Sequence, residues 1–340
     1  MPADDVPLAV GDAFAVVGPV GGRGLTHREL VRRVNTWGSP AAPAPPAAVP
    51  DLRETADWCA QAPPGSAALV HRVTGEVDRL SGLGPGRTRW SGIRTLPEVS
   101  ARRLGRDDDL HHLFHPWTGP LRKPVIGPAV RGVTVASCLV RATPAGADAI
   151  GWASRSSGSV RHAVLEGLRL LASAGFPGSG PAGVECAGAA GVSESHWLID
   201  GTLALLTRHA RSLGPVPAPD LGEPAVAVLH AVPGLPGAWR FAEVVATGSG
   251  VRLAAAWGRD GAEAIDHAVG VPRCAAGTAS RPAADPMLRG LSAGERENLV
   301  GDLLRYGDRL GVRTMGVRVA ADALQGAQPV AWGPVWFRRT

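Results

Sequence analysis

The chain has 340 residues, 45% hydrophobic and 19% charged, which is enough to bury a core and too apolar for a disordered chain. Its 45 Gly and 30 Pro follow no G-X-Y period, which excludes collagen and points to many turns. The net charge is +5, but the basic groups (Arg32–Arg33, Arg102–Arg106, Arg338–Arg339) are scattered and lack interleaved aromatics, so no nucleic-acid-binding stripe is expected.

Lys123 is the only lysine and sits in Leu-Arg-Lys-Pro-Val, which leaves no P-loop lysine. The four cysteines, Cys59, Cys138, Cys186 and Cys274, are far apart and form no C-x-x-C, so neither a zinc ribbon nor a redox dithiol is predicted. The opening Met-Pro-Ala-Asp-Asp resembles no signal peptide, and no apolar run of about 18 residues occurs. The expected location is the cytoplasm, with reduced thiols and no membrane partner.

The first predicted unit is strand, turn, helix. Ala13–Val17 reads as a strand and Gly18–Gly24 as a glycine-rich turn. The capping box Thr26-x-x-Glu29 opens a helix to about Val34. No frame of the turn completes G-x-G-x-x-G, so a dinucleotide fold is not predicted. Residues 38–50 form an Ala/Pro-rich linker. A helix over Asp51–Ala62 and a strand over Leu69–Val73 follow, then a loop-rich stretch from Gly82 to Trp90.

Three later segments share one plan of short strand, small-residue turn and amphipathic helix. They are Ala149–Trp152 into Ser159–Ala172, Val184–Ala187 into Ser193–Ala210, and Val251–Ala254 into Asp260–Val271. Pro181, Gly183 and the Pro215–Pro224 region mark loops between them. The capping box Ser292-x-x-Glu295 opens a last helix with Leu299, Leu303 and Leu310 on one face. It closes at Gly311, and Val312–Val319 is a strand. The expected class is α/β (α+β), a layered fold of repeated strand-turn-helix units with a smaller N-terminal α/β region.

Few clusters suggest chemistry. His111-His112-x-x-His115 beside Asp107–Asp109 is the most metal-like, with His111 and His115 one turn apart. No Glu follows His111 as in H-E-x-x-H, and Pro116 ends the segment, so histidines at a negative helix end are the favoured reading. Glu166 is the only acid of the first repeat helix; the second offers Glu194 and Asp200, the third Glu263 and Asp266. Type and spacing alone assemble no Mg²⁺–nucleotide site from these helices. No G-x-S-x-G is present.

Over residues 110–340 the chain resembles the YcaO family, ATP-dependent cyclodehydratases that form azolines on ribosomal peptides. The resemblance rests on His115-Pro-Trp-Thr118-Gly119-Pro-Leu-Arg122, on Gly151–Leu170, and on Cys186–Gly191 through Leu206-Thr-Arg208-His-Ala210. Ala255–Gly258 through Val271 and the closing Leu303–Trp336 complete it. It implies a YcaO-like domain over 111–340 and an N-terminal docking or peptide-binding region over 1–110.

Several positions depart from the family pattern. Glu166 matches the first acid of the first helix, but Arg169 and Leu170 stand where Glu-Arg is expected and His162 replaces a Ser. In the second helix Ala204 and Thr207 replace both acids and Arg208 alone is retained; in the third, Val271 and Cys274 fall where Glu and Gln belong.

The resemblance therefore implies a catalytically degenerate scaffold or peptide-binding partner in a thiazole/oxazole-type modification complex, with no catalytic residue, metal or cofactor of its own. Its partners would be a precursor peptide and a cyclodehydratase or dehydrogenase, in a homo- or hetero-oligomer. The alternative is a divergent active cyclodehydratase using ATP and Mg²⁺. Glu166 and Arg208 would then face the nucleotide, with help from Asp107–Asp109 and Glu185.

Overall fold

The computed structural model describes residues 5–11, 14–21, 26–37, 52–72, 74–80, 87–92, 110, 113–114, 119–129, 132–141, 147–174, 184–216, 225–269, 282, 284–322, 326–327 and 330–340. The chain divides into two compact units. The smaller holds residues 1–89, 108–122 and 319–329, and the larger holds 90–107, 123–318 and 330–340.

In the smaller unit, β1 (Leu8–Val10), β2 (Phe14–Val20), β3 (Ser66–His71) and β4 (Val77–Leu80) form an antiparallel sheet in that order. Helices α1 (His27–Trp37) and α2 (Leu52–Gln61) cover its two faces. Alternation along β2 explains this: Phe14 and Val16 join Leu30 and Val34 of α1, whereas Ala15 and Val17 join Cys59 on the α2 side. β3 is buried on both faces and so reads as one apolar run. Thr26 caps α1, accepting the Glu29 N–H at 3.3 Å. The predicted turn at Gly18 is instead part of β2, where a Cβ would lie 2.9 Å from the Ser66 carbonyl. β1 was not expected from the sequence.

β5 (Arg87–Gly92) leads toward the larger unit, where β6 (Val125–Ile126), β7 (Thr134–Val140) and β8 (Ala147–Ala153) form one antiparallel sheet. α3 (Ser156–Ser173) packs on β8. β9 (Cys186–Gly191) is followed by α4 (Glu194–Leu206) and a short 3₁₀ turn, Thr207–His209. A second antiparallel sheet runs through β10 (Arg211–Val216), β11 (Ala225–Ala231), β12 (Arg240–Ala246) and β13 (Arg252–Gly258), with α5 (Gly261–Val269) on one face. After α6 (Asp285–Gly290) and α7 (Ala293–Leu310), β14 (Val312–Asp322) pairs with β16 (Ala331–Arg339), which pairs with β9; β15 (Gly326–Ala327) closes the end of β14.

The three expected strand-to-helix units are present as β8–α3, β9–α4 and β13–α5, and the predicted caps hold. Ser193 accepts the His196 N–H at 3.2 Å, and Asp260 accepts the Glu263 N–H at 2.9 Å. Ser292 and Glu295 form the reciprocal capping box of α7, and Gly311 closes that helix in the left-handed region. Several boundaries differ. α3 begins at Ser156 rather than Ser159 and α4 ends at Leu206 rather than Ala210. β10–β12 were not expected; of the expected Pro215–Pro224 loop, residues 215 and 216 belong to β10 and 217–224 lie outside the described residues. Short, Gly- and Pro-interrupted strands carry too little alternation to be seen in one sequence.

The units also share a polar tie that the helix pattern does not show. In each, a side chain ten residues after a strand residue returns to that strand's backbone. His162 Nδ1 lies 3.3 Å from the Trp152 nitrogen, Asp200 accepts the Ala190 N–H at 3.1 Å, and His267 Nδ1 lies 2.9 Å from the Trp257 carbonyl. Glycines make this approach feasible: a Cβ on Gly151 would lie 2.1 Å from Ala163 N, on Gly191 2.5 Å from Trp197 N, and on Gly258 2.2 Å from Ala264 N.

The main core of the larger unit joins α4, α6, α7, β16 and the second sheet through Trp197, Leu203, Phe241, Trp257, Met287, Leu299 and Val335. Trp197 is fully buried and donates its indole N–H to the Gly333 carbonyl at 3.0 Å, as expected for a tryptophan anchor.

Because backbone atoms block Gly151, Gly151→Ala is expected to cost about 3 kcal/mol in denaturant unfolding. Nothing lies within 4 Å of a Cβ on Gly294 in α7. Gly294→Ala should therefore stabilise by about 0.5 kcal/mol, and equal effects at both positions would refute the close-approach account.

Candidate functional site

On α3, Glu166 and Arg169 are three residues apart and share a face; Arg169 Nη1 meets Glu166 Oε2 at 2.9 Å. The Nε of the same guanidinium meets Asp200 Oδ2 of α4 at 2.9 Å. Arg169 and Asp200 are each 2% exposed, so this pair lies in the interior. Burial opposes the Arg169 charge, but Asp200 and Glu166 outweigh it and hold the guanidinium above its ordinary pKa. Its Nη2 has no hydrogen-bond partner.

A third acid adds to this field. Asp285 of α6 is buried and its carboxylate meets Arg289 at 2.9 Å. Burial opposes its ionisation, yet Arg289, His162, Arg169 and His196 hold the carboxyl below its ordinary range. His162 and His196, buried on α3 and α4, are also lowered, which favours their neutral form. Desolvation lowers His162 from 6.5 to about 4, against the pull of Asp285, and lowers His196 in the same direction.

Close to α4 and β9, a cavity of about 620 Å³ opens against the second sheet. Its lining includes Ser173, Cys186, Gly188, Ala204, Thr207 and Arg208. The sheet contributes Phe241, His230, Glu243 and Arg252, placed on one face by the β11–β12 register that sets His230 opposite Phe241. His230 stacks on Phe241 with centroids 4.6 Å apart. Glu243 Oε2 lies 3.2 Å from His230 Nε2, while its Oε1 meets Arg252 at 2.7 Å. Desolvation lowers the His230 pKa although Glu243 resists it.

The two residues expected to face a nucleotide have different partners. Arg208 lines the cavity and pairs with Glu185, whereas Glu166 is not among the described lining residues and is held by Arg169. Ala204 and Thr207, expected in place of two acids, do line the cavity. His111, His112, His115, Asp107–Asp109, Val271 and Cys274 lie outside the described residues.

Of the acids on the repeat helices, Glu166 and Asp200 come together on the Arg169 guanidinium, a contact that type and spacing did not show. Among the described residues no group of three or more His, Cys, Asp or Glu side chains is arranged to hold a metal ion. A divalent cation does not fit between Glu166 and Asp200 as they stand, because the guanidinium already contacts both. Sequence reasoning also missed His230 and Glu243, which sit on strands that were not expected, and Arg252, which sits on an expected strand but was not singled out. The signal for Asp200 was available in its ten-residue offset from Ala190, matching His162 and His267.

No family model matches the sequence, and no curated protein matches it. The chain is similar to YcaO. One such structure, the YcaO from Methanopyrus kandleri bound with AMPPCP and Mg²⁺, is 14% identical, with 72% of this chain and 90% of that chain covered at a TM-score of 0.44. A heterocyclase in complex with substrate and cofactor is 10% identical, with 98% of this chain and 71% of that one covered at 0.43. No helix among the described residues is long and apolar enough to cross a membrane.

The buried histidines predict acid sensitivity. His162 titrates near 4 when folded and near 6.5 when exposed, so the unfolded chain takes up the proton first and stability falls as pH drops from 6.5 toward 4. Between roughly pH 7 and pH 5 this residue should remove about 2 kcal/mol, read by urea unfolding at the two pH values. His162→Asn should flatten that slope; an unchanged slope would show that His162 does not set it.

Proposed function

We propose that this chain is a catalytically degenerate YcaO-like protein that acts as a scaffold or peptide-binding partner in a ribosomal-peptide modification complex. It would perform no nucleotide chemistry and hold no metal. In this reading residues 1–110 dock the precursor peptide or the partner enzyme, an azoline-forming cyclodehydratase or an azole-forming dehydrogenase, in the cytoplasm.

The observation that carries the proposal is the fate of the acids. Glu166 is neutralised by Arg169, and Ala204 and Thr207 stand on the cavity wall where the family resemblance calls for carboxylates. A triphosphate needs convergent oxygen ligands for its Mg²⁺ as well as cations for its phosphates. The cavity supplies Arg208 and Arg252, each already paired with a glutamate, and Glu243 as the one carboxylate among its described lining residues. A volume of about 620 Å³ is ample for side chains of a bound peptide. Of the acids that an active enzyme would draw on, the two among the described residues, Glu166 and Glu185, are engaged by arginines, and Asp107–Asp109 lie outside them.

Calorimetry of the purified chain with MgATP is expected to give no binding heat, and ATP hydrolysis should be absent with or without partners. In a reconstituted complex, omitting this chain should lower azoline or azole formation several-fold while the partner keeps its own ATPase. MgATP binding that disappears in Glu166→Ala would overturn the degenerate reading and favour a divergent active enzyme.

A further inference from the structure

β9 is an outer strand of its sheet. It pairs with β16 on one side and, among the described residues, with no strand on the other. The register shows which of its backbone groups face outward. Gly188 stands opposite Pro334. Opposed residues of an antiparallel ladder exchange either two hydrogen bonds or none, and Pro334 has no N–H to give. This pair therefore exchanges none, and the Gly188 N–H and C=O point to the open edge. Ala190, two residues on, is turned the same way, and there the Asp200 carboxylate takes the N–H at 3.1 Å. The edge is closed at Ala190 and open at Gly188.

Gly188 is buried and lines the cavity of about 620 Å³. Among the described residues, neither its outward N–H nor its outward C=O has a hydrogen-bond partner. Helix α3 covers the face of β9 rather than this edge, since a Cβ on Gly188 would lie 2.3 Å from the Arg169 carbonyl oxygen. Ala187, Ala204 and Ala210 bring only methyl groups to the surrounding wall, and the stacked rings of His230 and Phe241 belong to the same lining. Buried backbone groups are nearly always paired, and a donor and an acceptor side by side on a strand edge match another extended backbone. We infer that the outer edge of β9 accepts an extended peptide segment as an added strand, paired through Gly188 within this cavity. The inference rests on the proposed peptide-binding role and gives it an address in the larger unit.

The test uses the full chain without nucleotide and the fluorescein-labelled peptide Gly-Thr-Val-Ser-Ile-Thr-amide, read by fluorescence polarisation. Two further peptides carry N-methyl groups, one on Thr, Ser and Thr, the other on Val and Ile. A strand turns alternate N–H groups to one edge, so one methylated form should bind about tenfold more weakly and the other should match the parent. The parent peptide should also slow amide deuterium exchange within 186–191. Thr207→Trp, which fills the cavity from the turn after α4, should abolish binding, and Thr207→Ser should retain it. If Thr207→Trp does not fold, the methylated pair and the exchange measurement decide alone. Equal binding of the two methylated forms, binding that leaves exchange in 186–191 unchanged, or no binding at about 1 mM peptide overturns the inference. The reconstituted complex separates this failure from that of the partner role. If omitting the chain still lowers azoline or azole formation, only the strand pairing is wrong; if the chain is dispensable while the peptide pairs, the partner role fails and the edge site stands.

Discussion

The larger unit depends on one buried positive charge. Arg169 has its cation in the interior, where desolvation costs several kcal/mol, and only direct contact with carboxylates offsets that cost. Each partner carries a second task. Asp200 anchors the Ala190 backbone, and Glu166 holds the guanidinium from the same helix. The ion pair thereby turns an electrostatic requirement into a positional one: α3 and α4 cannot shift against each other without baring a charge. Hydrophobic contact alone would not fix that register, since the α4 surface is apolar nearly all round.

Around this charge the unit is built by repetition. β8–α3, β9–α4 and β13–α5 each bring a strand glycine against helix backbone, and each sends a polar side chain back to the strand ten residues away. The chemistry of the returning group differs. An imidazole closes the first and third units, whereas a carboxylate closes the second and meets the Arg169 guanidinium at 2.9 Å. The middle repeat is therefore the one that imports Arg169 from its neighbour, and the asymmetry of the structure follows from a single Asp among two histidines.

Much of the fold was legible from residue pattern. The helices of the three repeats, the caps at Ser193, Asp260 and Ser292, and the Gly311 stop are local events governed by nearest neighbours, so one sequence suffices to place them. The sheet from β10 to β12 was not legible, because its short strands gain their stability from pairing with one another and from α5. The candidate site was legible only as residue types. That Ala204, Thr207 and Arg208 share a wall follows from their spacing at the end of α4, but their meeting with His230, Glu243 and Arg252 is tertiary. The contact between Arg169 and Asp200 spans 31 residues and two helices, beyond the reach of periodicity.

The same electrostatics explains how these acids are held in the interior. If Arg169 alone became neutral, Asp200 would be left buried without its cation, at a cost of about 3–5 kcal/mol, and the half-buried Glu166 would lose its partner, while Asp285 would keep Arg289. If Asp200 alone became neutral, Arg169 would lose its Nε partner and Ala190 its acceptor. Single changes in either direction are thus opposed, and only a concerted exchange of the arginine and its acids for apolar residues would relieve the interior. Glu243 is bound by the same logic at the cavity, held between His230 and Arg252. Ala204 and Thr207 face open space rather than a fixed cation, so no charge constrains them, and a carboxylate there would be the easier group to gain or lose. The distinction between acids locked in a network and positions free on a wall is what separates the rigid part of this unit from the part that a ligand would meet.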